Sequence, residues 1–165
     1  MKAVVIHQAR DLRVEDVADA LPGPDDVSVA IKRGGICGSD LHYYRHGGFG
    51  TIVLKEPMVL GHEIAGEITA LGQGVSSLRV GQRVAVDPSQ PSGRCMYCQK
   101  GQQNHCLDMR FYGSAMRMPH VQGTFRQRLV AKADQCHVIS DDIALEDAAF
   151  AEPFAVALHA IVRVG

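Results

Sequence analysis

A chain of 165 residues is long enough for one domain with a real core and too short for two ordinary ones. Its 17 basic and 18 acidic side chains interleave and leave a net charge of −1, which excludes the footprint of a nucleic-acid binder or of a protein drawn to anionic membranes. No apolar run approaches a membrane span, and Met1-Lys2-Ala3-Val4-Val5-Ile6 is too short for a signal peptide, so the chain reads as soluble and cytoplasmic.

In chain order, Lys2–His7 and Leu12–Val17 are expected to pair as a hairpin around Gln8-Ala9-Arg10-Asp11. Leu21-Pro22-Gly23-Pro24-Asp25-Asp26 is a turn cluster, and Val27–Lys32 alternates in the strand period. Ser39–Tyr44 reads as one short helical turn, capped by Ser39 or Asp40. Ile64–Leu71 and Arg83–Val86 read as strands on either side of Gly72-Gln73-Gly74-Val75-Ser76-Ser77. That glycine-containing piece is a loop, because strand-like sequence follows it where a dinucleotide fingerprint needs a helix. Pro88–Met109 is a cysteine-rich lobe, Asp108–Gly123 a polar loop, and Thr124–Ile139 further strand. A short helix is expected from a cap at Ser140 or Asp141 through Phe150. A second opens with Pro153 at its first position and runs through Val162. With 17 glycines, no Trp and late, sparse helical pattern, the fold class is mainly β.

Five cysteines, an odd number without a secretion signal, favour metal ligation or free thiols over a disulfide framework. Gly34-Gly35-Ile36-Cys37-Gly38-Ser39-Asp40-Leu41-His42 and Gly61-His62-Glu63 together offer a thiolate, an imidazole and a carboxylate. These are donor types that a catalytic zinc takes while keeping one position open. Glycines on both stretches allow the tight turns that bring distant donors together. Glu152, just before Pro153, adds a further carboxylate. Zinc lowers the pKa of a bound water or alcohol, and an alcohol so activated can pass hydride to an acceptor. Asp40 is placed to accept the other ring N–H of His62, and Ser39 with His42 to carry a proton towards solvent. The competing reading makes Cys37 a buried thiol and His62 a turn residue.

Cys95-Met96-Tyr97-Cys98, with Cys106 beyond, presents three of the four thiolates that a structural zinc takes. Ser92 stands where the spacing wants a fourth thiolate, and neither His105 nor Asp87 has a suitable spacing. The competing reading is a lobe of free thiols. Cys136 belongs to a strand core, while His7, His46 and His137 fit exposed or edge positions. Arg45, Arg110, Arg117 and His120 are candidates for a cationic rim around an acidic substrate, or simply solvent-facing residues.

Gly35-Ile36-Cys37-Gly38-Ser39-Asp40-Leu41-His42-Tyr43, Gly61-His62-Glu63-Ile64-Ala65-Gly66 and Gly81-Gln82-Arg83-Val84 resemble the zinc-dependent medium-chain alcohol and polyol dehydrogenases. Tyr43-Tyr44, Pro57–Glu63, Glu152–Ala157 and Arg110–Met116 with Pro119-His120-Val121 are most similar to the sorbitol and L-idonate 5-dehydrogenase branch. The resemblance covers residues 1–165 and implies a GroES-like, partly open β-barrel with a cysteine-rich lobe and a C-terminal helix. It implies a catalytic zinc on Cys37, His62 and Glu63, with Glu152 a direct or water-mediated ligand. It also implies Ser39 and His42 as proton relay, Tyr43 in the substrate pocket, and a lobe zinc on Cys95, Cys98 and Cys106, which Ser92 interrupts. The activity implied is oxidation of a secondary alcohol of a sugar acid or polyol with NAD or NADP, in a homo-oligomer, with L-idonate foremost and sorbitol, xylitol or L-threonine as alternatives. These dehydrogenases bind their cofactor on a separate Rossmann domain, and no turn of that kind occurs here. The expectation is therefore a catalytic domain alone, without turnover as an isolated piece; a non-catalytic metal-binding or assembly module is the alternative of another class.

Overall fold

A computed structural model describes every residue from Met1 to Gly165. The strands are β1 (Lys2–Gln8), β2 (Asp11–Asp16), β3 (Asp26–Gly34), β4 (Gly48–Phe49), β5 (Ile52–Val53), β6 (Met58–Val59), β7 (Ile64–Leu71), β8 (Arg83–Val86), β9 (Ser89–Gln90), β10 (Arg110–Phe111), β11 (Arg128–Lys132) and β12 (Cys136–Val138). The helices are α1 (Gly38–His46), α2 (Leu145–Ala149) and α3 (Ala151–Val164). The central sheet is antiparallel, in the order β11-β3-β7-β8-β12, and a second one runs β2-β1-β6. A single bridge between Ala3 and Arg126 joins the two, and both sheets stay open at their edges.

The alternation in β3 and β7 has the consequence expected of a pleated strand. Val27 and Val29 point inward to meet Ile64, Ile68, Val84 and Leu129, and the intervening residues face away. The predicted β1–β2 hairpin forms with Val4 opposite Val14. A smaller core holds Ile6, Tyr43, Met58, Leu60 and Ala115 beneath α1.

Three helix boundaries differ from the sequence reading. Helix α1 starts at Gly38 with Cys37 as its N-cap; Asp40 is the third helical residue, and its carboxylate reaches back to accept the Cys37 N–H at 3.0 Å. Helix α2 is shorter than expected. The carbonyls of Asp141 and Ile143 accept from the Arg83 guanidinium at 2.9 and 2.6 Å, which holds that stretch against β8 and leaves only Leu145–Ala149 helical. Helix α3 opens at Ala151, which puts Pro153 third; first-turn N–H groups lack intrahelical partners, so the missing donor costs little there. None of its residues is buried, and Phe154, Leu158, Ile161 and Val162 lie exposed.

The structure corrects the placement of Tyr43. It is 1% exposed, and its hydroxyl oxygen accepts the Ala115 N–H at 2.9 Å, so it belongs to the core wall and fastens α1 to the loop after β10. Removing that acceptor leaves a buried N–H unmet. Tyr43→Phe is expected to lower stability by about 1–2 kcal/mol, read as a lower midpoint in urea with an unchanged slope.

Candidate metal centre

The centre is built where β3 and β7 leave the central sheet. Gly34 pairs with Ile64 at the last register position, and the Gly35 N–H donates to the Glu63 carbonyl at 2.8 Å. This brings the turn that carries Cys37 against the turn that carries His62 and Glu63. One Sγ, one ring nitrogen and one carboxylate oxygen from these three residues lie within 4.8 Å of one another. His62 and Glu63 are buried and Cys37 half-buried.

Asp40 ties the two turns together, though not in the predicted way. Its Oδ2 accepts the Cys37 N–H and its Oδ1 accepts the Gly61 N–H, each at 3.0 Å. The ring of His62 is therefore not its hydrogen-bond partner. Nδ1 of His62 is buried without any partner, an unusual condition for a polar atom and a costly one. Burial pushes the Asp40 carboxyl above its ordinary range; the nearby His62 and the two N–H donors only partly offset it.

Glycine is required at two places. Gly35 leaves room for the Glu63 carboxylate, since a Cβ there would stand 2.0 Å from Oε2. Gly61 has φ +89° and faces the Phe125 ring, which a Cβ would meet at 2.3 Å. The Phe111 and His62 rings meet in a T-shaped contact, with centroids 5.2 Å apart. Nothing in the spacing of the chain singles out Phe111, because β10 reaches His62 only through the fold.

The remaining predicted residues fall in three places. Ser39 is half-buried and His42 exposed, three residues apart on α1, and the His42 ring lies 5.9 Å from that of Phe49. Glu152, half-buried at the start of α3, is not one of the converging group. Burial raises its carboxyl above the ordinary range; His62 opposes this, while Glu63 and Asp87 add to it. Cys95, Cys98 and Cys106 form a second group of three converging sulfurs.

Residues 23–141 match the model of the alcohol dehydrogenase GroES-like domain. The chain belongs to that family. It is 42% identical over 163 residues to a sorbitol dehydrogenase of Bacillus subtilis, covering 99% of this chain and 45% of the relative. It is 48% identical over 137 residues to the L-idonate 5-dehydrogenase (NAD(P)(+)) of Escherichia coli K12, covering 83% of this chain and 39% of that protein. The crystal structure of the L-idonate 5-dehydrogenase from E. coli K-12 superposes with a TM-score of 0.94 at 41% identity, over 99% of this chain and 46% of the other. A structure described as a short chain alcohol dehydrogenase of E. coli CFT073, complexed with NADH, gives a TM-score of 0.84 at 37% identity, over 96% and 44%. The chain thus spans less than half the length of these relatives. These relatives are dehydrogenases by name, and another similar structure, at a TM-score of 0.83 and 32% identity over 97% of this chain and 44% of the other, is described as a "putative zinc-binding dehydrogenase" of Sinorhizobium meliloti bound to NADP. The mainly-β GroES-like fold agrees with the sequence reading, and no helix is long and apolar enough to cross a membrane.

The donor set of the GroES-like domain fits zinc by its own chemistry. Sulfur, imidazole and carboxylate converge, a buried ring nitrogen waits for a partner, and Gly35 keeps the carboxylate in place.

The second cluster makes a separate prediction about the metal-free protein. The Cys98 N–H, then the Leu107 N–H, bring the Cys95 thiol down to about 6, whereas burial pushes Cys136 up to about 12. At neutral pH iodoacetamide should label Cys95 with a half-point near pH 6 and leave Cys136 unmodified. Peptide mapping after a short pulse checks this; equal labelling of both would contradict it.

Proposed function

We propose that this chain is the catalytic-domain portion of a zinc-dependent dehydrogenase that oxidises a secondary alcohol of a sugar acid or polyol, with L-idonate as the substrate and NAD(P)+ as hydride acceptor. The observation that carries the reading is the convergence of one donor atom each from Cys37, His62 and Glu63 within 4.8 Å of one another. The likeness to polyol and sugar-acid dehydrogenases supports the substrate class. The nicotinamide binds on a Rossmann domain outside these 165 residues, in keeping with the share of the relatives that the chain spans.

Cys37 Sγ, a ring nitrogen of His62 and a carboxylate oxygen of Glu63 would hold the zinc, and Glu152 would serve as a direct or water-mediated ligand. Zinc supplies Lewis acidity, which makes the substrate hydroxyl easier to deprotonate at neutral pH. Ser39 Oγ would accept the hydroxyl proton as its own hydroxyl hydrogen passes to the exposed imidazole of His42, which would then release a proton to solvent. A nicotinamide bound outside these residues would supply the hydride acceptor, and the overall reaction would balance as secondary alcohol plus NAD(P)+ giving ketone, NAD(P)H and one proton. Phe111, packed on His62, keeps water from that side of the ring.

The test is steady-state kinetics of the whole protein on L-idonate, sorbitol, xylitol and L-threonine with each nicotinamide cofactor. The reading expects the highest kcat/KM on L-idonate. Preference for sorbitol or xylitol would move the substrate to the polyols, and preference for L-threonine would put it outside the proposed class. No turnover on any alcohol by a zinc-loaded, folded protein would leave a metal-binding or assembly module.

A further inference from the structure

The proton route through Ser39 and His42 leaves a second imidazole on the same helix without a task. Helix α1 begins at the candidate centre, with Cys37 as its N-cap, and ends at His46. Ser39, His42 and His46 stand at positions i, i+3 and i+7, so they form one stripe along the helix. The His42 and His46 ring centroids are 6.0 Å apart, with the planes tilted by 38°. At that separation the ring nitrogens cannot meet in a direct hydrogen bond, and one water spans the gap.

The other aromatic ring at His42 offers no exit. Phe49, on the hairpin of β4 and β5, has its centroid 5.9 Å away and carries neither donor nor acceptor. It also packs at 5.4 Å on the buried Tyr43, which seats the hairpin on α1. Several of the other histidines are engaged by partners of their own. His7 is tied to Glu15 at 2.8 Å, His120 to the Arg117 carbonyl and the Lys55 N–H, and His105 packs on Tyr97. His46 is exposed at the end of α1, where the last carbonyls of the helix attract positive charge. The neighbouring Arg45 cannot substitute for it, because a guanidinium does not release its proton.

We propose that His46 is the second imidazole of the relay, and that the proton leaving His42 reaches solvent by way of one water and His46. In the oxidation direction Ser39 hands a hydrogen to His42, and protonated His42 gives an N–H proton to the water. The water gives one of its own to a ring nitrogen of His46, which releases a proton from its other nitrogen to buffer. No electrons move along this path, and one proton leaves for each alcohol oxidised. His46 acts through His42 and needs no contact with substrate or metal. The inference rests on the dehydrogenase reading.

The experiment is stopped-flow proton release by the whole, zinc-loaded protein, followed with a pH-indicator dye in dilute buffer free of imidazole, beside NAD(P)H formation. The substrate is whichever of L-idonate, sorbitol and xylitol the parent oxidises fastest. His46→Gln, a good helix former without an ionisable ring, should slow proton release by about three- to tenfold and leave zinc content and KM within about twofold of the parent. Added imidazole should restore that variant to the parent's rate and leave the parent unchanged, a rescue that no merely structural role would give. His46→Arg keeps a positive charge without a proton to pass on and should be as slow as His46→Gln. With circular dichroism confirming the fold, parent-like proton release in His46→Gln, failure of imidazole to rescue it, or parent-like release in His46→Arg would each overturn the proposal. No NAD(P)H from the parent on any of the three alcohols would instead remove the dehydrogenase reading, and this inference with it.

Discussion

Cys37→Ser is expected to release the zinc of the first centre and to lower kcat/KM of the whole enzyme by at least about 1,000-fold, the loss that follows when a Lewis acid no longer sits at the reacting hydroxyl. The substitution exchanges one sulfur for oxygen on a half-buried side chain, so steric disturbance is small. What changes is the ligand: a serine hydroxyl at neutral pH is protonated and binds zinc poorly, and His62 with Glu63 cannot hold the ion tightly as a pair. Stability of the metal-free protein should stay within about 0.5 kcal/mol of the parent. Zinc content and initial rates on the same preparation make the check. A variant that lost neither would remove Cys37 from the centre and the proposed chemistry with it.

The second large effect belongs to a residue that touches no substrate. Asp40 is 3% exposed and accepts from two backbone N–H groups, one on each turn of the centre. In Asp40→Ala both donors are left buried and unmet, and the expected loss of stability is about 3 kcal/mol or more. Asp40→Asn keeps one acceptor oxygen and should lose about half as much. Zinc affinity should fall in the same order, because the carboxylate spaces the turn of Cys37 from the turn of His62. Urea unfolding with and without zinc measures both.

The pH dependence of these variants has a defined sign. Burial raises the folded Asp40 carboxyl above the unfolded value of 3.8. Between the unfolded and folded values the native chain holds a proton that the unfolded chain has released. The contribution of Asp40 is therefore full below the unfolded value and declines as pH rises through the folded one. Metal-free parent protein should show this decline, and Asp40→Asn should lack it. A steeper decline in the variant than in the parent would contradict the assignment.

Much of the candidate centre was legible in the linear chain because its converging donors lie in short glycine-rich stretches whose residue types name their chemistry. Cys37, His62 and Glu63 each announce a donor atom, and the alternation in β3 and β7 announces a sheet able to carry them. Asp40 was read as a partner of His62 because a carboxylate behind a histidine is a common pairing. Its actual partners are backbone groups, one of them 21 residues away, and every residue but proline offers that same donor. Phe111 escaped notice for a related reason, since an apolar side chain looks alike whether it fills a core or shields an imidazole. The helix starts were misplaced because Pro153 is tolerated anywhere in a first turn, and Arg83 captured carbonyls that a longer α2 would have used.

Residue identity and spacing along the backbone established the mainly-β class, the donor types of the first centre and the cysteine lobe broken by Ser92. These are local properties, carried by neighbours within a few positions. Folding alone established that Asp40 joins two turns, that Gly35 makes room for the Glu63 carboxylate, that Tyr43 is core wall, and that Glu152 stands outside the converging group. Each of those depends on which distant backbone or side chain comes within hydrogen-bonding or van der Waals reach, and that is settled only when the sheets close on a common core.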